Sequence, residues 1–263
     1  MTAPPAIELA VAGLTIRFGG LTAVDQMSFD VRQGEVLSLI GPNGAGKTSA
    51  FNAITGYIAP AAGAVTYRGA RLTGRKPNEI AQLGVVRTFQ KTSVFGGLSV
   101  LDNVLVGLHL RCKQQPLAIL LGAGSVAREE TALIAEAHST LQFIGLAARA
   151  SQLAAALPYG ELRLLEVAIA LAAKPKLLLL DEPVCGLNPA ETASFMQLLA
   201  RIRARGITVL LVEHDMKMVM GVSDRIVCLN QGRIIADGTP EAIRNNAEVV
   251  RAYLGTHRVG AAR

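Results

Sequence analysis

Apolar and polar residues alternate along the N-terminal stretch of the chain. Residues 7–11, 14–18 and 27–31 carry this period of two, which predicts half-buried strands broken at Gly13, Gly19 and Gly20. Residues 36–40 then form a continuous apolar run that stops at a glycine-rich stretch, and residues 47–55 read as a helix. Residues 64–67 make another short strand. From about residue 107 to 153 the character changes to alanine- and leucine-rich helix, punctuated by Pro116 and a turn at residues 122–124. Alternation returns afterwards: helix 161–173, strand 176–180, helix 189–204, strand 208–212, helix 216–220, and strands 225–229 and 233–236. Residues 177–180 and 209–212 are apolar on both faces, as strands of a buried parallel sheet are. The pattern predicts an α/β fold with an N-terminal antiparallel β portion and an inserted helical subdomain, over residues 97–173, within one domain spanning 1–263.

Composition narrows the setting. Of the 263 residues 51% are hydrophobic and 17% charged, which suffices for a large core and disfavours disorder. Mean hydropathy is positive, yet the apolar stretches, such as residues 117–121 and 177–180, fall far short of the roughly 20 residues a spanning helix needs. No secretory signal is evident at residues 1–5, so a soluble cytoplasmic protein is expected. The net charge of +6 raises nucleic acid as a partner, but the basic residues are scattered and aromatics make up only 4%, so no nucleic-acid binding is expected. Cys112, Cys185 and Cys228 form no CxxC pair, which fits reduced thiols rather than disulfides or zinc.

The chemistry concentrates in a few motifs. Gly41-Pro42-Asn43-Gly44-Ala45-Gly46-Lys47-Thr48 fits GxxxxGK(S/T) in full, between a strand and a helix. Its glycines let backbone N–H groups face phosphate oxygens, and the helix that continues through Ser49 adds its positive end. Lys47 reaches toward the β- and γ-phosphates, and the Thr48 hydroxyl is a ligand for Mg²⁺. The chain is therefore expected to bind ATP. A buried strand delivers Asp181-Glu182-Pro183, with Asp181 placed for the metal and Glu182 for the attacking water. His214, just past residues 209–213, offers a hydrogen bond to the γ-phosphate, although a lone histidine is more often structural. Gln90 offers a neutral amide to metal or water; taken alone it is an ordinary surface residue. Leu157-Pro158-Tyr159-Gly160-Glu161 precedes a helix with a glycine at its start but has no lysine, so it is not a second complete site.

The order of these motifs resembles the ATP-binding subunit of an ABC transporter over nearly the whole length. By that resemblance, residues 157–161 correspond to the family's signature loop, so Tyr159, Gly160 and Glu161 would face ATP in a partner. Gly186-Leu187-Asn188 corresponds to the D-loop, Gln90 to the Q-loop glutamine, His214 to the switch histidine, and Phe18 to the ring stacked on adenine. Catalysis would rest on Glu182, His214, Lys47 and Gln90, with Mg²⁺ held by Thr48, Gln90 and Asp181. Arg87-Thr88-Phe89-Gln90, Pro158-Tyr159, and the ending from Gly238-Thr239-Pro240 to Arg251-Ala252-Tyr253-Leu254-Gly255 are similar to the branched-chain amino-acid uptake ATPases, specifically the subunit with the longer helical insert.

The resemblance implies a head-to-tail pair of ATPase subunits, hetero- or homodimeric, docked on membrane permease subunits at the cytoplasmic side of the inner membrane. Departures from the pattern include Glu161 for the usual glutamine; its carboxylate would repel a partner's γ-phosphate unless it points away or pairs with a cation such as Arg163. The alternatives are an ABC-type ATPase for another solute or a regulatory ATPase without a permease.

Overall fold

The computed structural model describes residues 5–88, 94–108 and 124–255. Its strands are β1 (Ile7–Phe18), β2 (Leu21–Arg32), β3 (Val36–Ile40), β4 (Ala62–Tyr67), β5 (Ala70–Arg71), β6 (Val85–Arg87), β7 (Leu177–Asp181), β8 (Thr208–Val212), β9 (Arg225–Asn230) and β10 (Arg233–Gly238). The helices are α1 (Lys47–Ile54), α2 (Pro77–Gln82), α3 (Val100–Leu108), α4 (Gly124–Ile144), α5 (Tyr159–Ala172), α6 (Pro189–Ala204), α7 (Met216–Val222), α8 (Pro240–Arg244) and α9 (Ala247–Gly255). One sheet is antiparallel with order β2-β1-β4-β5. The other has order β10-β9-β3-β8-β7-β6 and is parallel except for β10 at its edge.

The parallel strands are apolar on both faces because both faces are covered. Leu177, Leu179 and Leu210 join the core shared with the antiparallel sheet and α1, whereas Leu178, Leu180, Val209 and Leu211 face the core formed with α3, α5 and α6. Each fully buried leucine contributes about 1.5–3 kcal/mol. Within the helical stretch, α3 and α5 approach closely at Gly107, where a Cβ would stand 2.3 Å from the Ile169 carbonyl oxygen. Among the described residues no helix is long and apolar enough to cross a membrane.

Several sequence expectations are corrected. Residues 7–11 and 14–18 are one strand, because a bulge at Gly13 (φ +58°) absorbs the break and the Gly13 N–H donates to Ser28 Oγ at 2.8 Å. β2 begins at Leu21 rather than 27, its alternation hidden by an irregularity at Gln26 (φ +49°). The helix after the 157–161 loop begins at Tyr159, two residues earlier than expected. Helices α2 and α8 are short and carry too few apolar positions to be read from periodicity, although both have proline in the first turn; α9 is a further helix that the sequence pattern did not predict. Gln90, Cys112 and Pro116 lie outside the described residues.

Candidate functional site

The glycine loop joins β3 to α1, and its glycines are required by contact as well as conformation. A Cβ at Gly41 (φ +151°) would stand 2.2 Å from the Leu229 carbonyl oxygen, and one at Gly46 (φ +104°) 2.5 Å from that of Ala23. Gly46 is the N-cap of α1, with no side chain capping the helix and no acidic residue in its first turn. The positive end of α1 thus faces a cleft of about 280 Å³ lined by residues 43–49, Ala23 and Glu182. Lys47 is buried, its Nζ donating to Gly41 O at 2.6 Å and Pro42 O at 3.1 Å. Burial lowers its pKa, while Glu182, Cys228 and Asp181 pull it back up. The ammonium is held among backbone carbonyls of the glycine-rich loop, beside the positive end of α1.

Asp181 ends β7 and is 2% exposed. Its Oδ2 accepts from Arg87 Nη2 at 2.6 Å, while Arg87 Nη1 donates to Asn52 Oδ1 at 2.7 Å and Thr55 Oγ1 at 3.3 Å. Asp181 Oδ1 is buried and accepts no hydrogen bond among the described residues. A buried carboxylate oxygen left open beside a phosphate loop suits a hard divalent cation or its water. Glu182 follows in a left-handed conformation (φ +48°) unusual for a non-glycine residue, held by its N–H donating to Val212 O at 2.8 Å. Such strain, roughly 1–3 kcal/mol, collects at functional sites.

The segment after β8 is organised by Glu213, which is fully buried. Its Oε1 accepts from Val184 N at 3.0 Å, and its Oε2 from His214 N at 2.9 Å and Asp215 N at 3.3 Å. Burial raises the Glu213 pKa, and these N–H groups and His214 work against the rise. The His214 side chain is exposed, with Nδ1 3.7 Å from Glu213 Oε2.

A glycine-rich loop and Glu182 meet in one cleft, with the carboxylate of Asp181 ending the strand just before Glu182, an arrangement suited to a phosphate-bearing ligand. The profile of the ABC transporter family matches residues 24–185, and that of the branched-chain amino acid ATP-binding cassette transporters matches residues 233–259. This chain belongs to the ABC transporter family. It is 47% identical to the high-affinity branched-chain amino acid transport ATP-binding protein LivG of Salmonella typhimurium over 94% of this chain and 97% of that protein. It is 44% identical to BraF of Pseudomonas aeruginosa, with the same coverage. The crystal structure of the ADP conformation of an ATP-binding cassette of an ABC transporter superposes with a TM-score of 0.84 at 30% identity, covering 95% of this chain and 99% of that one. The chain is an ABC ATPase of P-loop α/β fold.

The remaining expected site residues divide by position. Phe18 is half-exposed at the end of β1, on the hairpin that also carries Ala23 into the cleft. Tyr159, Gly160 and Glu161 open α5 and do not line this cleft. The proposed pairing of Glu161 with Arg163 is corrected. Glu161 pairs with Arg149 at 3.2 Å, because Arg163 turns inward to Glu166 Oε2 at 2.9 Å and to the Tyr159 hydroxyl at 2.6 Å. Asn188 is the N-cap of α6, its Oδ1 accepting from Ala190 N and Glu191 N. The sequence pattern assigns no role to two residues beside this site: Arg87, a basic residue in a motif, and Glu213, which follows an apolar run. A charged residue closing a buried strand was the available signal for Glu213.

Proposed function

We propose that this chain is the ATP-hydrolysing subunit that powers an importer of branched-chain amino acids. The observation that carries the catalytic part is one cleft holding Lys47, Thr48 and Glu182, with the open Oδ1 of Asp181 at the end of the neighbouring buried strand. The likeness to LivG and BraF along nearly the whole chain supports the choice of solute.

In this reading residues 41–49 cradle the phosphates through backbone N–H groups, Lys47 leaves its carbonyls for the β- and γ-phosphates, and Phe18 stacks on adenine. Thr48, Asp181 and Gln90 would hold Mg²⁺, which would supply positive charge to the phosphate oxygens. Glu182 orients and deprotonates the attacking water, and His214 contacts the γ-phosphate. Tyr159, Gly160, Glu161 and Asn188 serve the site of a second ATPase subunit packed head to tail, which accounts for their distance from the cleft in their own chain.

The subunit works at the cytoplasmic face of the inner membrane, against permease subunits. Phe95, Leu98 and Leu153 are exposed on neighbouring segments joined by Ala154 N donating to Leu98 O at 3.0 Å, an apolar surface suited to a permease loop.

Glu182→Gln should retain ATP binding and lose turnover by about a hundredfold or more, while Lys47→Ala weakens nucleotide binding itself. Wild-type hydrolysis by Glu182→Gln would sink the assignment. Phe95→Ser with Leu153→Ser should abolish co-purification with the permease; intact co-purification removes that surface from the reading.

A further inference from the structure

The turn that follows Glu182 is fastened from two sides. On one side, Cys185 O accepts from the Tyr159 hydroxyl at 3.1 Å. That hydroxyl in turn accepts from Arg163 Nη2 at 2.6 Å and Nε at 3.0 Å, and the Arg163 guanidinium, 6% exposed, donates to Glu166. A buried charge pair thus locks one phenol rotamer, and the phenol locks one backbone carbonyl. The approach is close: a Cβ at Gly186 (φ +82°) would stand 2.8 Å from the Tyr159 ring, and one at Gly160 2.6 Å from Glu191 Oε1. On the other side, the preceding residue, Val184, donates its N–H to Glu213 Oε1, whose second oxygen holds His214 N and Asp215 N. Between the two fastenings, Cys185 N donates to Glu182 O at 3.2 Å.

We infer that Tyr159 and Glu213 are positioning residues that clamp this turn, so that the loop a subunit offers to its partner's ATP moves together with Glu182 and His214 of its own site. The inference rests on the head-to-tail reading for its functional half and on this chain alone for its mechanical half. Neither side chain has to touch nucleotide for the effect. The Tyr159 hydroxyl is spent within its own chain, and the Glu213 carboxylate lies out of solvent among three N–H donors. Closure of the partner site on residues 159–161 would be felt at the Cys185 carbonyl, then at Glu182 and, through Val184 and Glu213, at His214. A glycine at position 159 could make no such link, so the fastening is a property of the tyrosine-bearing sequence.

Two measurements on the full-length chain test this. Hydrogen exchange of the isolated chain should show the amides of residues 184–187 exchanging about 2- to 10-fold faster in Tyr159→Phe and in Glu213→Gln, the range expected for one lost hydrogen bond. In the Glu213→Gln variant one end of the side chain becomes an NH₂ group facing an N–H donor, so the remaining oxygen can hold Val184 N or the His214 and Asp215 N–H groups but not both sides of the clamp. Turnover of the chain co-expressed with its partner subunits should fall about 2- to 10-fold in each variant, with KM for ATP changed less than about twofold. The double variant should fall no further than the more severe single, because both changes release one turn. Unchanged exchange in both variants would overturn the clamp, and losses that multiply in the double variant would overturn the coupling. Tyr159→Phe keeps the ring and decides the first point even if Glu213→Gln does not fold. Neither result bears on the role of Glu182, which stands or falls on Glu182→Gln.

Discussion

Replacing Arg87 by methionine would leave Asp181 as a buried carboxylate without its bonded cation. In the native protein the two side chains are 6% and 1% exposed and 2.6 Å apart, and the same guanidinium reaches Asn52 and Thr55. With both groups out of solvent, bulk water cannot take over the lost contact. Breaking one partner of such a pair costs about 3–5 kcal/mol, which for a chain of this size lowers Tm by about 5–9 °C. Removing both charges in Arg87→Met/Asp181→Asn leaves only lost neutral hydrogen bonds, about 1–2 kcal/mol, so the double variant should be more stable than the single. Arg87→Lys should fall between, since one ammonium cannot span Asp181, Asn52 and Thr55 together. Thermal unfolding followed by circular dichroism, without nucleotide, measures all three. A Tm for Arg87→Met within about 1 °C of wild type, or a double variant less stable than the single, would refute the view that Arg87 compensates Asp181.

Gly46→Ala combines a disallowed φ with a 2.5 Å approach to the Ala23 backbone, and should cost about 2–4 kcal/mol in denaturant unfolding while abolishing nucleotide binding in a fluorescent-nucleotide titration. Iodoacetamide at pH 8 should alkylate half-buried Cys185 and spare Cys228, which is fully buried with its thiol pushed up to about 11, as read by peptide mass mapping of the native protein. Glu213 has a folded-state pKa raised above the ordinary 4.5, so the folded protein keeps a proton that the unfolded chain has already released. Its contribution to stability is therefore greatest below pH 4.5 and declines as pH rises from there through the raised value. The pH dependence of unfolding free energy should lose that negative slope in Glu213→Gln; an unchanged slope contradicts it.

The phosphate loop, the strand-end acid pair and the alternation of strands and helices were legible because each depends on contiguous residues. A loop that wraps phosphate needs glycines at fixed offsets from its lysine, and a strand buried on both faces needs an unbroken apolar run; neither requirement refers to the rest of the chain. The continuity of β1 through Gly13 was not legible, because a bulge and a chain break carry the same local signature until the partner strand is known. Three links that hold the site depended wholly on tertiary structure. Arg87 meets Asp181 across 94 residues, Glu213 meets Val184 across 29, and Tyr159 meets Cys185 across 26. The first two follow from the register of β6 on β7 and of β7 on β8, and the third from the packing of α5 beside the turn that leads to α6. Register and packing are set by the whole core at once, so the sequence by itself determined which groups carry the phosphate-loop and strand-end chemistry, and only the assembled sheet decided which groups hold them in place.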